Sequence, residues 1–171
     1  MRAGGINAGR GAAWDCRMET HSAPSPVIIS MRMSNHAGHS GYDRLIDYLP
    51  CDVIMPPVQW SFGQRAVARV LRHFVTAAGS QWYHRDSLVA ELRAAMKWCA
   101  GRGNVFHFLY GENSYWYLGR LKSLCRSKPI ICTYHTPEQK FHQILANVQP
   151  IRRLDGVIVV STAQRDIFSD I

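Results

Sequence analysis

No apolar run in this chain is long enough to cross a bilayer as a helix, so any membrane contact is expected to be peripheral. Acidic residues are scarce. The 12 Asp and Glu against 20 Lys and Arg leave a formal charge of +8, which favours an anionic partner or else reflects surplus arginine on solvated helix faces. The five cysteines (Cys16, Cys51, Cys99, Cys125 and Cys132) are odd in number and widely spaced. That pattern fits neither a disulfide framework nor a zinc site and is expected of a reducing, cytoplasmic compartment. The dinucleotide fingerprint G-x-G-x-x-G is missing, as is the G-K-[ST] of a Walker A loop. Without G-x-S-x-G there is no nucleophile elbow. Basic residues are not interleaved with aromatic ones, so no nucleic-acid partner is expected. Residues 1–26 are rich in Gly, Ala, Ser and Arg but have no continuous apolar core, so they are expected to form a disordered leader rather than a secretory signal.

The 171 residues are 47% hydrophobic and 19% charged, enough for one domain with a substantial core, here residues 27–171. Short apolar runs alternate with stretches of helical period. Val27–Met31, Cys51–Met55, Asn104–Tyr110, Ile130–Cys132 and Asp155–Ser161 are expected as strands. From Phe62 onward Ala66, Val67, Val70, Leu71, Phe74 and Val75 recur at helical spacing, with Arg65, Arg69 and Arg72 as a basic stripe. The stripe is either a solvated face or a surface for anionic lipid or a phosphorylated acceptor. A second helix is expected to be capped by Asp86, to turn Leu88, Val89, Leu92, Ala95, Met96 and Cys99 inward, and to stop at Gly101 or Gly103. Asn113 or Ser114 should cap a third, carrying Tyr115, Tyr117, Leu118, Leu121 and Leu124. Thr136, with Pro137 and Gln139, should start a fourth that runs to about Val148. Ser161 or Thr162 should cap a fifth. Such alternation predicts an α/β fold, a Rossmann-like parallel sheet flanked by helices. Since the last helix is scarcely two turns long at Ile171, the domain is expected to be incomplete there.

If the sheet is parallel, three strand ends meet on one edge: the loop from His36 to Tyr42, the turn Gly111–Ser114 and the corner from His135 to Glu138. They supply imidazoles, carboxylates, hydroxyls and free amides, as the floor of a sugar or phosphate cleft requires. His135 could orient a hydroxyl or shuttle a proton. Glu138 could accept hydrogen bonds from sugar hydroxyls or complement a helix N-terminus. His107, inside a strand, reads as a hydrogen-bonded core residue rather than a ligand. His36 and His39 share no helical face with a third ligand, so no metal is expected.

Four pieces carry a resemblance: His36-Ala37-Gly38-His39-Ser40-Gly41-Tyr42, Phe106-His107-Phe108-Leu109-Tyr110-Gly111, Thr133-Tyr134-His135-Thr136-Pro137-Glu138, and Leu154–Ser161 running into Ala163-Gln164-Arg165. In this order and spacing they resemble the N-terminal, acceptor-side domain of a GT-B glycosyltransferase, most similar to family 4, from about Val27 to Ile171. The resemblance implies one half of a two-domain GT-B fold, with the nucleotide-sugar domain absent from this sequence. It implies a nucleotide-sugar donor, a glycan or lipid-linked acceptor and retaining transfer without metal or other cofactor. It places His135 at the reacting sugar and Gly38, His39, Ser40 and Gly41 at the donor phosphates, while Tyr42, Glu112, Asn113, Glu138 and Ser161 are the candidates for binding acceptor or substrate. These 171 residues alone would then transfer little sugar. The alternatives are a glycan- or nucleotide-binding module without turnover, and a hydrolase or epimerase on the same plan.

Overall fold

A computed structural model describes residues 26–31, 46–57, 59, 61–78, 82–122, 128–140 and 148–171. Five strands, β1 (Pro26–Ile29), β2 (Asp52–Ile54), β3 (Val105–Phe108), β4 (Ile130–Tyr134) and β5 (Gly156–Val159), form one sheet in the order β2-β1-β3-β4-β5. Every neighbouring pair is parallel, and Ile28 lies between Val53 and His107 in register. The fold is the expected α/β one. Val27, Ile29, Phe106, Phe108, Ile130 and Cys132 are fully buried, because a parallel sheet covered by helices buries both of its faces. Burial of each such side chain contributes roughly 1.5–3 kcal/mol.

The helices whose full extent is described are α1 (Phe62–Ala78), α2 (Arg85–Cys99), the single turns α3 (Gly111–Ser114) and α4 (Leu118–Leu121), and α5 (Thr162–Ser169), with 3-10 turns at Glu138–Lys140 and Ile151–Arg153. The end of α2 is as expected: Ala100 is its C-cap, and Gly101 and Gly103 take φ of 74° and 77°, a conformation that costs glycine little. Ser161 caps α5, its Oγ accepting from the Gln164 amide at 3.2 Å.

Several expectations are corrected. The N-cap of α2 is His84, and Asp86 sits in the first turn. Its inward face is Ser87, Leu88, Ala90, Glu91, Ala94, Ala95 and Trp98, while Leu92, Met96 and Cys99 are exposed. The small residues let the helix lie close to the sheet, and the rotation brings Glu91 inside. There its Oε1 accepts from the amides of Trp116, Tyr117 and Leu118 at 2.7, 2.6 and 2.7 Å, and its Oε2 accepts from the Tyr83 hydroxyl at 2.5 Å. These bonds explain the next correction. The helix expected to carry Tyr115 to Leu124 is broken into α3 and α4, since amides that donate to Glu91 are not available to a helical ladder.

After Thr136 the described chain makes only the 3-10 turn, and residues 141–147 lie outside the description. On α1, Leu71 and Val75 pack on a small cluster of Ala78, Tyr83, Leu88 and Trp116, whereas Phe62, Val70 and Phe74 stay largely exposed. Residues 1–25, expected as a leader, also lie outside the description, and Pro26 already belongs to β1.

Candidate functional site

The strand order reverses at β1, for β2 lies on one side of it and β3 on the other. In open parallel sheets the crevice beyond the carboxyl ends of two such strands is the ligand-binding position. Here those ends carry Ser30 and Met31 on one side and Leu109 and Tyr110 on the other, tied by a bond from the Leu109 amide to the Ile29 carbonyl at 2.9 Å. Ser30 is 1% exposed, and its hydroxyl has no partner among the described residues. The expected glycine loop follows β1, but Gly38, His39, Ser40, Gly41 and Tyr42 lie outside the described residues.

His135 stands one residue beyond β4 and is held at both ends. Its amide donates to Glu112 Oε1 at 3.2 Å, and its Nε2 lies 2.8 Å from the Leu109 carbonyl oxygen. A carbonyl only accepts, so Nε2 carries a proton and donates it to this bond. The ring also lies against Tyr110, centroids 5.1 Å apart. An imidazole fixed in this way at the rim of the sheet can orient a hydroxyl or accept its proton.

Glu112 and Asn113 are buried on α3, and Ser114 closes that turn by donating from Oγ to the Tyr110 carbonyl at 2.6 Å. Burial pushes the Glu112 carboxyl up, against the hydrogen bonds from its own amide, the His135 amide and the Thr136 hydroxyl, which hold it down. Its Oε2 has no partner among the described residues. The glycine that opens α3 makes this approach feasible: a Cβ on Gly111 would fall 2.8 Å from Tyr134 Cζ and 2.9 Å from Cys132 Cβ. Gly111→Ala is expected to cost about 1–3 kcal/mol by overpacking against β4, read as a lower urea midpoint at unchanged slope.

Of the expected site residues, His135 and Glu112 are in contact, Asn113 adjoins Glu112 on α3, and Glu138 lies in the 3-10 turn that follows. Ser161 does not reach this group directly. Its exposed side chain caps α5, and the link runs through Gln164, 2% exposed, whose Nε2 donates to the Thr136 carbonyl at 2.6 Å while its Oε1 accepts from the Val160 amide at 2.7 Å. Gln164 is a positioning residue that sequence reasoning missed, and Thr136, read there as a helix start, is the residue it holds. The Ser-x-x-Gln spacing was the available signal, since it marks a capping box.

No protein-family model, curated protein or solved structure matches this chain. The site therefore rests on its own geometry. His107, half-buried on β3, has its Nε2 2.8 Å from Thr133 Oγ1, the hydrogen-bonded role expected of it. Burial, and then the nearby charge of His135, push its pKa down, so His107 stays neutral where an ordinary histidine would begin to charge. Among the described residues no group of three His, Cys, Asp or Glu could hold a metal ion, and no helix is long and apolar enough to cross a membrane.

Proposed function

We propose that this chain is the acceptor-side, Rossmann-like domain of a GT-B-type glycosyltransferase, acting on a nucleotide-sugar donor and a hydroxyl of a glycan or lipid-linked acceptor. The observation that carries the reading is His135, held by the Leu109 carbonyl and by Glu112 at the carboxyl end of β4, one strand from the point where the sheet order reverses. A fixed imidazole beside a buried carboxylate at the ends of the strands suits the placement of a sugar hydroxyl for attack. The resembling sequence pieces run through these same positions. Most of the barrier would be lowered by alignment of that hydroxyl and by charge stabilisation of the departing diphosphate.

The test is product analysis on the protein as its native host makes it, with UDP-, GDP- and ADP-sugars and a panel of glycan and polyprenyl-linked acceptors. The expected result is an acceptor whose mass rises by one sugar. Free or isomerised sugar with the acceptor unchanged would replace transfer by hydrolysis or epimerisation. Binding without any turnover would replace it by recognition alone.

A further inference from the structure

The arginine stripe of α1 lines a groove. Arg65, Arg69 and Arg72 face His84, Arg85 and Asp86 at the start of α2 across a space of about 680 Å³ floored in part by Val75. Four guanidiniums converge there against one carboxylate, and no described acidic side chain forms an ion pair with Arg65, Arg69 or Arg72. Arg65, Arg69 and Arg72 lie close together along one helix and repel one another, so an anion in the groove relieves them. Along the helix axis the three α1 arginines are spread over about 10 Å. That is wider than one phosphate and suits two.

The start of α2, one wall of the groove, stands beyond the same edge of the sheet as the site already described. Near its C-terminus, α2 is level with the beginning of β2, because Lys97 pairs with Asp52. One turn earlier Arg93 donates to the carbonyl of Met55, just past the end of β2, at 2.8 Å. Arg85 lies eight residues further on, about 12 Å beyond that level, so the helix start stands past the carboxyl edge of the sheet. On the same side Lys140, from the turn after His135, lies over the Trp82 ring at 5.7 Å.

We propose that the groove between α1 and the start of α2 binds a diphosphate or a pair of closely spaced phosphate groups, held by bidentate guanidinium contacts. This deepens the acceptor-side reading and rests on it only for the identity of the molecule that carries the phosphates, a phosphorylated acceptor. The chemistry is shared by a soluble phosphorylated molecule and a phosphorylated lipid headgroup.

Titration calorimetry of the full chain with inorganic pyrophosphate at low ionic strength tests it, beside flotation with phosphatidylcholine vesicles with and without phosphatidic acid. Pyrophosphate should bind, with affinity falling as salt rises. The double variant R69Q/R72Q should weaken it at least on the order of tenfold, while R165Q, on an exposed arginine of α5, should leave it unchanged. Melting curves of the variants should match the parent, for these arginines are exposed. Binding only to the phosphatidic acid vesicles, with the same dependence on Arg69 and Arg72, would support the proposal and make the headgroup the source. Binding to neither, or binding indifferent to Arg69 and Arg72, would overturn it. No sugar transfer enters these readouts, so the proposal can fail while transfer stands, and transfer can fail while it stands.

Discussion

Replacement of Glu91 by alanine is expected to destabilise the fold by about 4 kcal/mol or more, a large share of the stability of any single domain. The carboxylate is the acceptor for three consecutive amides, those of Trp116, Tyr117 and Leu118, and for the Tyr83 hydroxyl. Glu91 is 2% exposed and Tyr83 1%, so no solvent can take its place. Glu91→Gln should cost far less, because its amide oxygen can still accept from the three N–H groups. Denaturant titration of both variants separates the cases, and equal losses in the two would mean that the cost arises from packing instead.

The same residue sets a pH dependence. Burial pushes the Glu91 carboxyl up to about 7, against the pull of its hydrogen bonds, whereas in the unfolded chain it titrates near 4.5. Between those values the native protein holds a proton that the unfolded chain has released. Stability is therefore fullest below pH 4.5 as far as this group is concerned, falls as the pH rises through the window, and levels off above 7, by roughly 3 kcal/mol in all. In Glu91→Gln that slope should vanish.

His135→Ala is the second large expected effect, this time on activity. If the imidazole orients or deprotonates the acceptor hydroxyl, transfer should fall about 100- to 10,000-fold in kcat with little change in KM for the donor. The fold should lose only about 1 kcal/mol, for one hydrogen bond to the Leu109 carbonyl. Glu112→Ala should reproduce part of the loss by releasing the His135 amide, and Glu112→Gln, which keeps an acceptor there, should restore most of it. Unchanged transfer by His135→Ala would remove the residue from the reaction.

All five strands were legible because each is an apolar run with turn residues beside it, and the edge they share could be named from alternation alone. His135 was legible for the same reason, as the residue immediately beyond β4, and Glu112 and Asn113 as part of the turn that follows β3. Glu91 was not. A carboxylate in a helix is ordinarily solvated, and nothing in Val89-Ala90-Glu91-Leu92 marks this one as the acceptor for a segment 25 residues away. The break between α3 and α4 was hidden with it, for Tyr115-Trp116-Tyr117 contains neither glycine nor proline. The arginine stripe could be read, but its groove needs the start of α2 opposite, a matter of how two helices pack.

The order of the sheet also governs how the chain reaches it. β1 precedes the other described strands and lies beside the central strand β3, where Ile28 pairs with His107 although β2, α1 and α2 intervene in sequence. Closing that loop is entropically costly and must come before the contacts that reward it. Strands β3, β4 and β5, joined by much shorter connections, can assemble sooner. In refolding of the whole chain, β1 is therefore expected to join after β3, β4 and β5 have paired, and the crevice at the reversal of the sheet to close with it.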